Sequence, residues 1–226
     1  RRHTPETPEF VAMQAEAPAA LQARSPLRDT LTQGLPGLLL GAGVVVAVTA
    51  FNYVQKVYMP TYAINQLHIA TSASLVCTMI TGAMLMVMAP AFGLMADRFG
   101  SIRVVSIAMV VIALSTYPMF ATLVAQPTFW TLLVMQAIVG VLLAAILAPL
   151  PALLADIFPT RTRGTGLALS YNLSVTIFGG FSPLIVTWLI GVTHIKTSPS
   201  FYVFATTLIS LASLWMLRGR ARADRT

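Results

Sequence analysis

The residues able to do chemistry in this 226-residue chain are few, and most lie inside long apolar runs. Thr49, Asn52, Tyr53 and Lys56 fall within an arc of about 100° on a helix of 3.6 residues per turn. Gln136 is the lone amide of another run, and Tyr171 and Asn172 open a third polar face that continues through Thr176 to Gly179 and Pro183. Ionisable or amide groups at membrane depth bind a substrate, a partner helix or water, because hydrocarbon leaves them no other partner. Lys56 has two readings. Its ammonium snorkels to the headgroups, or it lines the outer half of a cavity and pairs with an anionic substrate group.

Catalytic constellations are missing. There is no Gly-x-Ser-Gly with a buried histidine, no intramembrane carboxylate pair, no His/Glu metal spacing and no phosphate-binding lysine loop. The carrier signature Pro-x-[Asp/Glu]-x-x-[Lys/Arg] does not occur either. Cys77 is the only cysteine, so an intrachain disulfide is excluded and a packing role is the expectation. No catalytic residue, metal site or cofactor is expected.

A second group of residues is charged and sits between the apolar runs. Residues 93–103 read Gly-Leu-Met-Ala-Asp-Arg-Phe-Gly-Ser-Ile-Arg, flanked on both sides by runs without a charged side chain. Asp97, Arg98 and Arg103 must then lie at a membrane face, with Gly93 and Gly100 reversing the backbone between two spans. Asp156, Arg161 and Arg163 form a similar cluster further on.

These groups need elements to carry them. The chain is 57% hydrophobic and 9% charged, with a mean hydropathy of +0.79, where a soluble domain carries about a quarter charged residues. Lipid is therefore the expected solvent. Six runs approach the ~20 residues that cross a bilayer: 35–58, 69–92, 104–124, 129–158, 164–190 and 200–217. Pro149, Pro151 and Pro183 give places to kink. Thr71, Ser74, Thr78 and Thr81 in the second run, and Gly140, Ala144 and Ala148 in the fourth, read as helix-packing stripes.

The net charge of +7 is topological. Twelve of the fourteen basic residues lie in four clusters, at the two ends of the chain and in the connections after the second and fourth runs. Connections after the first, third and fifth runs hold only His68, His194 and Lys196. The positive-inside rule then puts both termini in the cytoplasm, and nucleic acid is excluded as a partner. Residues 1–34, polar and interrupted by Pro5, Pro8, Pro18 and Pro26, read as a cytoplasmic linker; 35–217 as the six-helix bundle; 218–226 as a basic tail. The start at Arg1 rather than Met suggests a beginning partway through a longer protein.

Together these segments resemble the major facilitator superfamily, in particular its metabolite:proton symporters for proline or betaine, 2-oxoglutarate, shikimate and citrate. The resemblance rests on the turn at 93–103 and on Asp156-Ile-Phe-Pro-Thr-Arg-Thr-Arg-Gly-Thr-Gly running through Tyr171-Asn172 to Pro183. Tyr58-Met-Pro-Thr-Tyr62 and Glu6-Thr-Pro-Glu-Phe10 also belong to it. It implies an all-α membrane fold in which this chain is the linker plus the C-terminal bundle, two inverted three-helix repeats, with an N-terminal six-helix half missing. It implies location in the bacterial inner membrane, H⁺ as the coupling ion, and a small organic metabolite bound between the halves. Asn52, Tyr53, Lys56, Gln136, Tyr171 and Asn172 would face that substrate. Gly93, Asp97, Arg98, Gly100 and Arg103 would form the second-half copy of a gating loop, with Asp156, Arg161 and Arg163 as partners of Asp97.

Two departures stand out. Ser101 and Ile102 occupy positions where the family places basic residues, and no span holds a proton-coupling carboxylate. Lys56 points to an organic carboxylate as substrate. A zwitterion (betaine-type) symporter and a non-transporting six-helix scaffold or regulatory partner remain the alternatives.

Overall fold

A computed structural model describes residues 34–223; the linker through residue 33, with its Glu-Thr-Pro element, and the last three residues lie outside the described part. Six helices follow one another: α1 Leu35–Asn65, α2 Thr71–Phe99, α3 Ser101–Ala125, α4 Phe129–Ala155 and α5 Arg163–Thr193, then α6 Ser198–Ala223. Each is long and apolar enough to cross a membrane. Helices this apolar on every side need a core or lipid around them.

The boundaries differ from the sequence reading at three of the four places that follow. First, α1 does not stop near Tyr58. Its middle opens into a π-helical turn, Val54–Tyr58, and the α-helix resumes at Met59–Asn65. Pro60 lacks an N–H and its ring crowds the carbonyl four residues back, so a widened turn just before it lets the helix continue. A second π-turn, Val175–Gly180, precedes Pro183 in α5 in the same way. Second, the turn between α2 and α3 is confined to Gly100, at φ +91°. Gly93, expected to help reverse the chain, lies within α2 with open space where a side chain would be. Asp97 and Arg98 thus end α2, while Arg103 begins α3. Third, α4 breaks between Leu147 and Leu150, at Pro149 as its sequence suggests. Fourth, α6 runs helically to Ala223, six residues beyond the expected end of the bundle at residue 217.

The packing has the symmetry of two three-helix units. Helix α1 packs against α2, α4, α5 and α6, and α4 packs against α5, α1, α2 and α3; α2 meets α3, α5 meets α6, and α3 meets α6. Exchanging α1 with α4, α2 with α5 and α3 with α6 leaves this set of neighbours unchanged. Three spans per unit invert the second relative to the first, the arrangement common in secondary transporters. Burial agrees: 72% of the apolar window of α1 is buried but only 11% of that of α2, so α1 is central and α2 flanks the bundle.

Small hydroxyls close the contacts. Ser210 of α6 inserts into the backbone ladder of α1, accepting from the Ala47 N–H at 2.8 Å and donating to the Gly43 carbonyl at 2.6 Å. Ser170 and Ser174 of α5 donate to the Leu38 and Ala42 carbonyls of α1 at 3.2 and 2.7 Å. At the symmetry-related place Thr81 of α2 donates to the Gln136 carbonyl of α4 at 3.1 Å. The expected stripes are therefore contacts: Ser74, Thr81, Gly140 and Ala144 are buried, whereas Thr71 is exposed.

Candidate functional site

The polar residues of α1 and α4 converge where these two central helices cross. Gln136 is fully buried and its Nε2 donates at 3.2 Å to the backbone carbonyl of Gln55, which lies within the π-turn. Gln55 is itself fully buried, and both atoms of its side-chain amide lack a hydrogen-bond partner. The Oε1 of Gln136 and the Oδ1 of Asn52 are buried and unpartnered as well. Four amide atoms in this condition are costly, since each orphaned group forfeits about 1–3 kcal/mol of desolvation. Gln55 was not foreseen from the sequence. Its angular position lies outside the polar arc of Asn52, Tyr53 and Lys56; an amide inside a 20-residue apolar run was the available signal.

The other expected substrate residues occupy distinct surroundings. Lys56 is half-buried and stands nine residues before the helix end at Asn65, about 13 Å at 1.5 Å per residue. The run 35–58 puts it two residues from the boundary, where snorkelling is easy. Extension of α1 past Pro60 gives it a deeper seat. Tyr53 is half-buried and its ring packs so closely on Gly179 that a Cβ there would stand 2.9 Å from a ring carbon. This contact joins α1 to the π-turn of α5. Tyr171 and Asn172 are exposed on α5. The Asn172 Nδ2 donates to the Ala168 carbonyl of its own helix at 2.8 Å, so its donor is satisfied locally. The structure thus joins Gln136 to the backbone of Gln55, about one turn beyond Asn52 on α1, and leaves Tyr171 and Asn172 on an open face.

At the Asn65 end of α1 a separate clamp fixes this helix to the connection after α5. The Tyr62 hydroxyl donates to the Lys196 carbonyl at 2.7 Å, and Lys196 Nζ donates to the Gln66 carbonyl at 3.0 Å.

The charged residues gather at the opposite end. Asp97, Arg98, Arg103 and Asp156 are exposed, and Arg161 and Arg163 are half-buried. The Arg98 guanidinium lies 5.4 Å from the centre of the Phe99 ring, a cation–π contact. Arg163 keeps its Nε buried without a partner among the described residues. Among those residues Asp97 has no hydrogen-bond or ion-pair partner.

An all-helical bundle with an inverted three-helix repeat, polar groups at its central crossing and arginines at one end defines a multi-pass membrane protein of the secondary-transporter class. Residues 38–226 match the model of the Major Facilitator Superfamily. The chain belongs to that family, whose members are transporters and not enzymes. Among curated proteins it is 34% identical to the citrate-proton symporter of Klebsiella pneumoniae, over the whole of this chain and 50% of that protein. It is 28% identical to the ectoine/proline transporter ProP of Corynebacterium glutamicum, over 96% of this chain and 44% of that protein. The glycine betaine/proline/ectoine/pipecolic acid transporter OusA of Dickeya dadantii is 27% identical, over 81% of this chain and 36% of its own length. The chain spans about half the length of these relatives.

Proposed function

We propose that this chain is the C-terminal half of a proton-coupled symporter for a small organic metabolite, acting by alternating access in the bacterial inner membrane with both termini cytoplasmic. The reading is carried by the buried, unpartnered amide atoms of Asn52, Gln55 and Gln136 on the two central helices, with Gln136 bonded to the Gln55 backbone and Lys56 next to it on α1. Its orphaned amide groups suit a polar ligand, and Lys56 suits an anionic one. Tyr53, Tyr171 and Asn172 extend the same wall, and Tyr171 and Asn172 lie on a face open for a second six-helix half to cover.

In this reading the two halves rock about the site. The end of α2 at Asp97 contacts the other half while the cytoplasmic side is closed and releases it on opening. Gly93, Arg98, Gly100 and Arg103 shape that loop, and Asp156, Arg161 and Arg163 supply its countercharges. The proton-coupling carboxylate belongs to the other half, since the two acidic residues among the described ones are Asp97, two residues from the end of α2, and Asp156, just after α4. Alone, the chain offers one wall of a site and does not alternate access.

An organic carboxylate is the substrate favoured by Lys56. A zwitterion is the second reading, supported by the neutral amides and by the relatives named for proline and betaine. Lys56→Met separates the two. Joined to the N-terminal half of the Klebsiella relative, the variant is expected to lose citrate binding at least tenfold and to keep proline or betaine binding within a few-fold. Unchanged citrate binding would remove Lys56 from the site.

A further inference from the structure

A groove of about 340 Å³ runs along the flank where α2, α3 and α4 meet. Phe92, Met95, Phe99, Ile107, Val111 and Leu142 line it, and Arg103 is its sole ionisable lining residue. Several of these side chains stand open: Phe99 is 50% exposed and Ile107 66%. From Arg103 to Val111 the groove follows eight residues of α3, about 12 Å, close to the depth of one leaflet of a ~30 Å hydrocarbon core.

The charge sits at one end only. Arg98, on the Phe99 ring, adds a second guanidinium at that mouth, and Asp97 is exposed beside it, so the turn carries a net charge of +1. Helix α3 starts there with no side-chain cap, and the positive end of its dipole adds to the same field. A second groove of about 350 Å³ runs along α3 and α4 past Met119, Trp130, Val134 and Ile138 and contains no ionisable residue. Size and apolarity are thus shared by the two grooves, and the cation belongs to one.

We infer that the Arg103 groove holds a molecule of anionic phospholipid, its phosphate on Arg103 and one acyl chain lying along Ile107 and Val111. A protein surface seated here would bury the guanidinium without an acid in the groove. A phospholipid supplies an anion and hydrocarbon in the same molecule. The cytoplasmic leaflet, in which the proposed topology puts this end, is the anionic one. Lipid preference can be read without knowing the leaflet, so an inverted topology and an absent site give different results.

The test is native mass spectrometry of the chain purified in equal phosphatidylglycerol and phosphatidylcholine, counting retained molecules of each. The wild type is expected to keep phosphatidylglycerol about five-fold over phosphatidylcholine, the factor one basic residue near a surface supplies. Arg103→Gln should bring that ratio near one with total lipid little changed. Ile107→Trp, which fills the groove, should lower retention of both, and Arg218→Gln, at the end of α6, should change nothing. Equal retention by the wild type, an undiminished preference in Arg103→Gln, or displacement of the lipid by millimolar glycerol phosphate would overturn the inference. So would displacement by an added N-terminal six-helix half, which would assign the groove to the contact between halves.

Discussion

A methyl group on Gly140 would stand 2.6 Å from the Thr81 carbonyl oxygen and 2.5 Å from the Met84 Cβ. Neither atom is the free end of a flexible side chain. Relief to an ordinary contact requires α2 and α4 to part locally by about 1 Å. That movement stretches the 3.1 Å hydrogen bond from Thr81 to the Gln136 carbonyl, an interhelical bond of the kind worth about 0.6 kcal/mol in membrane proteins. Overpacking adds about 1–3 kcal/mol, and the better helix propensity of alanine returns up to about 1. Gly140→Ala is therefore expected to destabilise the bundle by about 1–2 kcal/mol. Gly82 on α2 has no atom within 4 Å of the corresponding point, so Gly82→Ala should be neutral or stabilise by about 0.5–1 kcal/mol. The two variants should differ by about 1–3 kcal/mol, roughly a factor of 5–150 in the unfolding constant. Reversible unfolding in mixed micelles, with increasing dodecyl sulfate and helicity as readout, measures the difference. A Gly140→Ala variant as stable as Gly82→Ala would refute the close crossing of α2 and α4.

Two further substitutions probe other parts of the account. Gln55→Leu removes two unpartnered buried amide atoms, so it should leave stability unchanged or raise it by about 1–2 kcal/mol in the same unfolding assay. If Gln55 serves the substrate, the variant joined to a relative's N-terminal half should bind substrate at least tenfold less well, as isothermal titration would report. His194 caps α5 at φ +56°, a conformation glycine adopts without strain. His194→Gly should stabilise the bundle by about 0.5–1 kcal/mol in micellar unfolding, and a loss of stability would mean that the imidazole does more than cap.

Much of the fold was legible because hydrocarbon permits so few solutions. An apolar run of about 20 residues bounded by arginines has essentially one reading, and all six runs became helices. The ends were harder to place. Proline at 60 reads as a terminator in water, whereas here a π-turn over Val54–Tyr58 carries the helix past it, and with it Lys56 moves from a helix end to a deeper seat. Gly93 reads as a turn residue from its charged neighbourhood, yet only Gly100 takes a backbone angle that glycine alone favours. The exchange symmetry of the packing leaves no sequence repeat, because helix neighbours are set by shape and small residues rather than by identical side chains. Gln55 escaped notice because its partner is the amide of a helix 81 residues away, and nothing local announces such a meeting.

The central claim is that this bundle is one wall of a transport site and needs a second six-helix half. It is tested most directly by uptake of radiolabelled citrate and proline into proteoliposomes under an imposed inward proton gradient. The chain alone is compared with the chain joined to the N-terminal half of the Klebsiella citrate-proton symporter. The account requires gradient-dependent uptake by the joined protein and none above empty liposomes by the chain alone. Uptake by the chain alone, or no uptake of either compound by a joined protein shown to be folded, would contradict it.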